Sequence, residues 1–190
     1  EPLWPQLGIG SPLNEHPEGL FFPDTYSFVK GASDLSILKR AYRRMQLVLE
    51  QEWARRVDGL PYQTPYEALI MASIVERETG QPDERERIAG VFVSRLQKNM
   101  RLQTDPTVIY GLDDAEKRNL RTRHLLDDTN PYNTYRHKGL PPTPIAMPGL
   151  AAIRASLNPL QDGAIYFVAR GDGSHQFSET LEQHQQAVRD

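Results

Sequence analysis

The spacing of apolar residues predicts that the first half of the chain is helical. Ser33 is a typical helix N-cap, and the helix that follows it is expected to end near Val57. Its apolar residues recur at intervals of three and four positions: Leu35, Leu38, Tyr42, Met45, Leu49 and Trp53. Residues 1–31 are instead rich in proline and glycine, which indicates an extended or looped segment before this helix.

Two more helices are predicted after the first. Residues 64–67 (TPYE) form a capping box, with proline at the first helical position and Glu67 able to reach back to the amide of the cap. Within this helix, expected over residues 65–80, residues 68–75 are apolar on nearly every side, which is typical of a buried helix. The third helix, over about residues 83–99, has one apolar stripe, and its charged residues are expected to face water.

The second half of the chain has a weaker pattern. Residues 101–148 are dominated by proline, glycine, asparagine, threonine and tyrosine, and so long an irregular stretch is often functional. A short helix is predicted from Pro148, then a strand over 165–169, a return strand over 174–177, and a last helix from about Thr180. The whole pattern predicts an α+β fold, a helical core with a small β-hairpin near the C-terminus.

Composition excludes several classes of function. The 22 basic and 25 acidic residues give a net charge of -3 without the basic patch of a nucleic-acid-binding protein. The absence of cysteine excludes disulfides, thiolate zinc sites and a cysteine nucleophile. The histidines lack the spacing of metal ligands, so neither a metal nor a cofactor is expected. The longest apolar run, residues 68–75, is far short of the roughly 20 residues that span a bilayer.

The end of the second helix carries the acids best placed for catalysis. Glu76 and Glu78 directly follow the buried apolar run, where a carboxyl group is expected to hold its proton near neutral pH, as a general acid must. They lie about 200° apart around the helix, so only one can face a cleft. We expect that one to be Glu76, which stacks over the small side chain of Ser73. The alternative is a solvated helix end whose acids make surface ion pairs.

Two polar segments could bind a sugar. Residues 101–111 (RLQTDPTVIYG) are expected to be extended and broken at Pro106, with amide, hydroxyl and carboxylate groups suited to sugar hydroxyls and acetamides. In the alternative interpretation, Asp105 only caps backbone amides in a turn. Residues 130–135 (NPYNTY) and 139–142 (GLPP) resemble a carbohydrate-binding wall, although proline and glycine suit a plain loop equally well.

Several long motifs occur together in one order. They are residues 18–26 (EGLFFPDTY), 72–79 (ASIVERET), 102–110 (LQTDPTVIY), 132–135 (YNTY) and 139–142 (GLPP). In this order they resemble the endolytic murein transglycosylase family, also called MltG or YceG-like. The resemblance covers the chain from about Glu18 to its end.

The resemblance implies a bacterial enzyme that cuts peptidoglycan glycan strands between N-acetylmuramic acid and N-acetylglucosamine and leaves a 1,6-anhydro end. The catalytic glutamate of the family is matched to Glu76. The motifs supply the expected substrate-binding residues: Ser73, Glu78, Gln103, Thr104, Asp105, Tyr110, Asn133, Thr134, Tyr135, Leu140 and Pro141. The alternatives are a muramidase-type hydrolase that uses Glu76 with Asp105, and a peptidoglycan-binding module without catalysis.

The resemblance also implies a larger protein. Family members usually carry a transmembrane helix and a small LysM-like domain before the catalytic domain. We therefore expect residues 1–31 to be the tail of that part and residues 32–190 to be the catalytic domain. The expected location is the bacterial inner membrane with the catalytic domain in the periplasm, and the expected partners are glycan strands and peptidoglycan synthases. A fold somewhat like lysozyme-type transglycosylases is implied.

Overall fold

The computed structural model of the protein describes Pro5, Leu7 and residues 16–189. The first helices are α1 (Asp34–Ala54), α2 (Pro65–Glu78) and α3 (Arg85–Gln97), with a 3-10 turn (Pro82–Glu84) before α3. They are followed by α4 (Asp105–Tyr110), α5 (Thr122–Leu126), α6 (Leu150–Leu157), β1 (Tyr166–Ala169), β2 (His175–Ser178) and α7 (Leu181–Arg189). None of the helices in this part of the chain is long and apolar enough to cross a bilayer.

Helix α2 lies at the centre of the core. Residues 68–75 are all buried, as their apolar pattern predicted. Helix α6 packs against α2 and also contacts α1 and α3, so the central helix is enclosed by its neighbours. Removing such side chains from water supplies about 1.5–3 kcal/mol for each large apolar residue, so the enclosure of α2 stabilises the fold.

The two predicted N-caps are confirmed. The Ser33 hydroxyl accepts a hydrogen bond from the Ser36 amide at 3.2 Å, and the Thr64 hydroxyl accepts one from the Glu67 amide at 3.2 Å. The Glu67 carboxylate reaches back to the amide of Gln63, one residue before the predicted cap amide.

Helix α1 ends at Ala54, earlier than the predicted Val57. The amide of Val57 donates to the carbonyl of Leu157 at 3.1 Å, so the chain has already left the helix to meet the end of α6. This tertiary hydrogen bond overrides the local preference for a longer helix.

The segment 101–111 was predicted to be extended and broken at Pro106, but only residues 101–104 come before a helix, and most of the rest is helical. Helix α4 spans Asp105–Tyr110, and Pro106 lies in its first turn. A proline is tolerated there because the first amides of a helix have no intrahelical acceptor, so Pro106 starts this helix instead of breaking the chain. Helix α5 is a second short helix within the stretch that lacked a sequence pattern.

The predicted β-hairpin is confirmed, and with it the α+β fold. Strands β1 and β2 pair in antiparallel register, with Phe167 opposite Phe177. A hairpin of two strands is only marginally stable alone. Here the Phe167 ring packs edge-on against Phe92 of α3, with the ring centroids 5.6 Å apart. The hairpin is thus held against the helical core, with α7 on it.

Gly90 permits a close approach between α3 and the chain that follows α6. A Cβ atom at this position would lie 1.9 Å from the carbonyl oxygen of Leu160. Any side chain at residue 90 would therefore force the two segments apart.

We expect Gly90→Ala to lower the free energy of unfolding by about 1–3 kcal/mol, the usual cost of overpacking, despite the better helix propensity of alanine. Urea denaturation measures this change. The matched control is Gly80→Ala, because nothing lies within 4 Å of the added Cβ atom there. A Gly90→Ala protein as stable as the wild type would contradict this account.

Candidate active site

A cleft of about 520 Å³ opens where the end of α2, the segment before α4 and the β-hairpin meet. More than half of the residues that line it are polar or charged. They include Glu78, Arg95, Gln103, Thr104, Asp105, Tyr135, Tyr166, His175 and His184. A second groove, of about 630 Å³, lies between the hairpin and α7, and no carboxyl group is among its described lining residues. Chemistry that needs an acid therefore favours the first cleft.

Glu78, the last residue of α2, is the buried acid of this cleft. Burial raises its pKa above the ordinary value for glutamate, and the negative charge of Asp105 adds to the shift. Three groups lower the pKa of Glu78. The Thr104 hydroxyl donates a hydrogen bond of 2.5 Å to Oε2, and the positive charges of His175 and Arg95 favour the carboxylate. The net effect is upward, so the carboxyl group holds its proton to a higher pH than an exposed glutamate, which is a property of general acids.

Glu76 lies in different surroundings. Its Oε2 accepts a hydrogen bond of 3.0 Å from the amide of Gly149, the residue at the N-cap of α6. Glu76 is not among the residues that line the cleft. Of the two glutamates, Glu78 and not Glu76 lines this cleft, the reverse of the direction expected for the pair. Ser73 gives no guide to direction, because it is buried in the core. The catalytic assignment of Glu76 stays a prediction.

Arg95 connects the two walls of the cleft through hydrogen bonds. Sequence analysis expected the charged residues of α3 to face water, but Arg95 is 7% exposed. Its guanidinium donates to the carbonyls of Ile165 and Leu102, both at 2.7 Å, and so joins α3 to both walls. The sequence held a signal for this burial, since Arg95 continues the apolar stripe at Ile88, Val91 and Phe92 with helical spacing.

Gln103, Thr104 and Asp105 line one wall. The side chains of Gln103 and Asp105 are exposed, while Thr104 between them is buried and points at Glu78. Gln103 has φ 53°, in the left-handed region that costs most residues about 1–3 kcal/mol. Its amide donates to the carbonyl of Thr134 at 3.2 Å, which holds this conformation.

Tyr135 completes this wall. Its hydroxyl donates a hydrogen bond of 2.7 Å to Oδ1 of Asp105. Burial raises the pKa of Tyr135, and the hydrogen bond and negative charge of Asp105 raise it further. The hydroxyl therefore stays protonated and can donate at any physiological pH. Asp105 thus acts as a hydrogen-bond acceptor at the cleft.

Several residues expected to bind substrate have structural roles instead. The Ser73 hydroxyl donates to the Ile70 carbonyl at 2.7 Å and accepts from the Ile145 amide at 2.9 Å, with no exposed surface. The Thr134 hydroxyl is buried and accepts from the Thr104 amide at 3.1 Å. Pro141 is buried and Leu140 packs partly against the core. Of these residues, only Thr134 is joined by a hydrogen bond to a residue that lines the cleft, Thr104, within the part of the chain that the structure describes.

The Asn133 side chain stabilises the loop that contains Tyr135. It is fully buried, and its amide nitrogen donates to the carbonyls of His124 at 3.0 Å and Asp127 at 2.5 Å. Its oxygen accepts from the Tyr135 amide at 3.0 Å. The plain-loop interpretation therefore holds for Asn133, while Tyr135 is the residue that this loop presents to the cleft.

Tyr110 lies outside the cleft. It lines a separate pocket of about 380 Å³ together with Glu18, Arg77 and Lys117. Burial, followed by the charge of Glu18, raises the pKa of Tyr110 to about 12. The expected grouping of Tyr110 with Gln103 and Asp105 is not seen.

Sequence analysis missed a histidine in the cleft. His175, the first residue of β2, was not among the expected site residues, yet it lines the cleft, and its Nδ1 lies 2.6 Å from Oε2 of Glu84. The His175 amide also donates to Oε1 of Glu84 at 2.9 Å. Burial alone would raise the pKa of Glu84, but these hydrogen bonds and the His175 charge lower it. The signal in the sequence was the alternation of His175 with Phe177 on one face of a strand.

The sequence profile of the YceG-like family matches residues 5–190, nearly the whole chain. The chain belongs to the YceG-like family. It is 36% identical over 175 residues to the endolytic murein transglycosylase of Bacillus subtilis, covering 91% of this chain and 48% of that protein. It is 32% identical over 176 residues to the endolytic murein transglycosylase of Streptococcus pneumoniae serotype 2, covering 90% of this chain and 31% of that protein.

A solved structure supports the same relationship. A crystal structure of a YceG-like protein from Listeria monocytogenes is similar with a TM-score of 0.74 at 34% identity, over 90% of this chain and 54% of the other. The chain thus spans about half, or less, of the length of the relatives it matches. The family resemblance expected from the motifs is confirmed.

We expect Glu78 to lower stability as the pH rises. Since its pKa is raised on folding, the unfolded chain loses this proton at a lower pH than the folded protein. The free energy of unfolding should therefore fall between the ordinary pKa of a glutamate and the pKa of Glu78 in the folded protein. Urea denaturation at a series of pH values should show Glu78→Gln gaining stability relative to the wild type across this window. Glu50→Gln, at an exposed position of α1, should follow the wild type.

We expect Asn133→Ala to lower the free energy of unfolding by about 2 kcal/mol or more, because it leaves buried carbonyl groups without a donor. Thermal unfolding followed by circular dichroism measures the loss. Asn119→Ala changes an exposed residue in the neighbouring loop and should have little effect. Equal stability of the two variants would show that Asn133 does not fasten the loop.

Proposed function

We propose that this chain is the catalytic part of an endolytic peptidoglycan lytic transglycosylase, with Glu78 as its general acid. The observation that carries the proposal is a buried carboxyl group with a raised pKa at the floor of a polar cleft. The names of the curated relatives support the reaction class. The reaction would cleave the bond between N-acetylmuramic acid and N-acetylglucosamine and leave a 1,6-anhydro end.

The chemistry of the cleft suits a sugar strand. Gln103 offers an amide, Asp105 a carboxylate and Tyr135 a hydroxyl, each within the same lining as Glu78. These groups can donate to or accept from sugar hydroxyls and acetamides. The pairing of Tyr135 with Asp105 fixes both side chains before a substrate arrives, which reduces the entropy lost on binding.

The proposed reaction needs one acid and one base. Glu78 gives its proton to the glycosidic oxygen as the bond from that oxygen to the anomeric carbon breaks. The O6 hydroxyl of the same muramic acid then forms the new bond to the anomeric carbon and releases its own proton. The carboxylate that Glu78 leaves behind is one base that can accept it. No water molecule is consumed, and the nucleophile is part of the substrate.

The surroundings of the two glutamates favour Glu78 over Glu76 for the acid role. Glu78 faces the cleft beside Thr104 and Asp105. Glu76 faces the start of α6, where the Gly149 amide holds its carboxylate. A general acid must reach the leaving oxygen, so position decides between them.

A hydrolase is the second candidate, and one observation favours it. Asp105 lines the same cleft as Glu78, and its charge is felt at Glu78. Glycosidases that use water need two carboxyl groups roughly 5–9.5 Å apart. In that reaction the product would carry a reducing end instead of an anhydro sugar.

The proposed function extends to how the chain is divided. We propose that residues 32–190 form the catalytic domain and that residues 1–31 lead from a membrane-anchored, LysM-like part of a longer protein. The shares of the relatives' length that this chain spans support a longer protein. A catalytic domain in the periplasm, acting on nascent glycan strands beside peptidoglycan synthases, would follow from such an anchor.

Mass spectrometry of the muropeptides released from purified glycan strands tests the reaction and its acid together. We expect anhydro-ended products from the wild type and a loss of about 10²–10⁴-fold in rate for Glu78→Gln, the usual contribution of a general acid. Glu76→Gln is the matched variant, two positions away in the same helix, and should retain most of the activity. Circular dichroism of each variant verifies folding.

The other outcomes are equally informative. Reducing-ended products would favour the hydrolase with Asp105. Loss of activity in Glu76→Gln but not in Glu78→Gln would assign the acid to Glu76. Binding of strands without cleavage by a folded wild-type protein would indicate a peptidoglycan-binding module.

A further inference from the structure

His175 is held in the cleft by a carboxylate that does not line it. Oε2 of Glu84 lies 2.6 Å from Nδ1 of His175, and Oε1 of Glu84 accepts the His175 amide at 2.9 Å. Side-chain exposure is 11% for His175 and 18% for Glu84. Glu84 ends the 3-10 turn before α3, and His175 starts β2, so the pair joins the helical core to the hairpin.

The contact with Glu84 determines which nitrogen of His175 is available. A carboxylate at Nδ1 requires a proton on Nδ1, so Nε2 of the neutral ring carries the lone pair. Nε2 is not buried and has no hydrogen-bond partner among residues 16–189. Because His175 lines the cleft, its accepting nitrogen is open to a substrate there. A carboxylate orients the general base of serine proteases in the same way.

His175 is also close to the proposed acid. The charge that His175 carries when it is protonated is among those that act on Glu78, although no hydrogen bond joins the two within the described residues. An acid and a base that share a cleft without sharing a proton can act on two different atoms of one substrate.

We propose that His175, oriented by Glu84, is the base that accepts the proton of the muramic acid O6 hydroxyl. This inference rests on the proposed function, because only an intramolecular transglycosylation uses O6 as a nucleophile. Glu78 and His175 then divide the proton transfers that a single carboxyl group would otherwise perform in sequence.

The step balances as follows. The bond between the anomeric carbon and the glycosidic oxygen breaks, and its electron pair stays on that oxygen, which takes the proton of Glu78. The O6 lone pair forms the new bond to the anomeric carbon, and the O6 proton moves to Nε2 of His175. Transfer of that proton through solvent to the Glu78 carboxylate restores both groups. Nothing is oxidised or reduced.

Two variants separate this role from a structural one. His175→Asn keeps a donor close to the position of Nδ1, and so keeps the contact with Glu84, but it removes Nε2. Glu84→Gln keeps an acceptor for His175 but removes the charge. The control is His137→Gln, an exposed histidine whose Nε2 contacts the Asp128 carbonyl.

Each protein is assayed on two substrates: natural glycan strands, and a short strand whose terminal muramic acid carries a 4-nitrophenyl leaving group. That group departs without protonation, so it bypasses the acid but still needs the base. On natural strands both His175→Asn and Glu78→Gln should lose about 10²-fold or more in rate. On the nitrophenyl substrate Glu78→Gln should recover, while His175→Asn should remain slow and release more reducing ends, because water competes with the unactivated O6 hydroxyl. Glu84→Gln should show the same slower rate and the same larger share of reducing ends, each by a smaller factor.

The inference is overturned if His175→Asn and Glu84→Gln, both folded, match the wild type in rate and in the ratio of anhydro to reducing ends. Failure of Glu78→Gln to recover on the nitrophenyl substrate, with His175→Asn unaffected, would assign both transfers to Glu78. Failure of the proposed function is distinct from either outcome, because the wild type would then yield no anhydro product.

Discussion

The complete burial of residues 68–75 of α2 is the constraint on which the rest of the structure depends. A helix that is apolar on every side must be enclosed, so α1, α3 and α6 close around it. Charged side chains can appear only where the helix leaves the core. Glu76 and Glu78 lie there, and their angular separation sends one to the start of α6 and the other to the cleft. The position of the acid is thus a consequence of core packing.

Opposing electrostatic effects act on Glu78. Burial and Asp105 favour the protonated carboxyl group, whereas the hydrogen bond from Thr104 and the charges of His175 and Arg95 favour the carboxylate. The guanidinium of Arg95 also supports both walls, so one buried cation contributes to shape and to charge. An acid in such surroundings can hold its proton at rest and still leave a stabilised carboxylate after giving the proton away.

The sequence predicted most of the secondary-structure elements, but it predicted less well which side chains point into the cleft. Apolar periodicity and caps predicted the long helices and the hairpin, because those patterns reflect burial itself. The motifs identified the segments that form the cleft, including Gln103 and Asp105, but not which side chains turn inward. An asparagine such as Asn133 can bind a sugar or hold a loop by hydrogen bonds to its backbone. Only the folded structure shows that Asn133 holds the loop. Arg95 and His175 lie on patterns that indicate burial, but Ile165 and Glu84, which help to hold them at the cleft, are far away in the sequence and could not be predicted.

The order of these segments along the chain has a consequence for biosynthesis. The cleft combines the end of α2 with a hairpin about ninety residues later, at Tyr166–Ala169 and His175–Ser178. Domains are made from the N-terminus at about 5–20 residues per second, and distant contacts form last. The helical core can therefore condense on a nascent polypeptide while one wall of the cleft has yet to be translated. A chain still emerging from the ribosome would have a core without a finished cleft, so the proposed chemistry is confined to fully translated molecules.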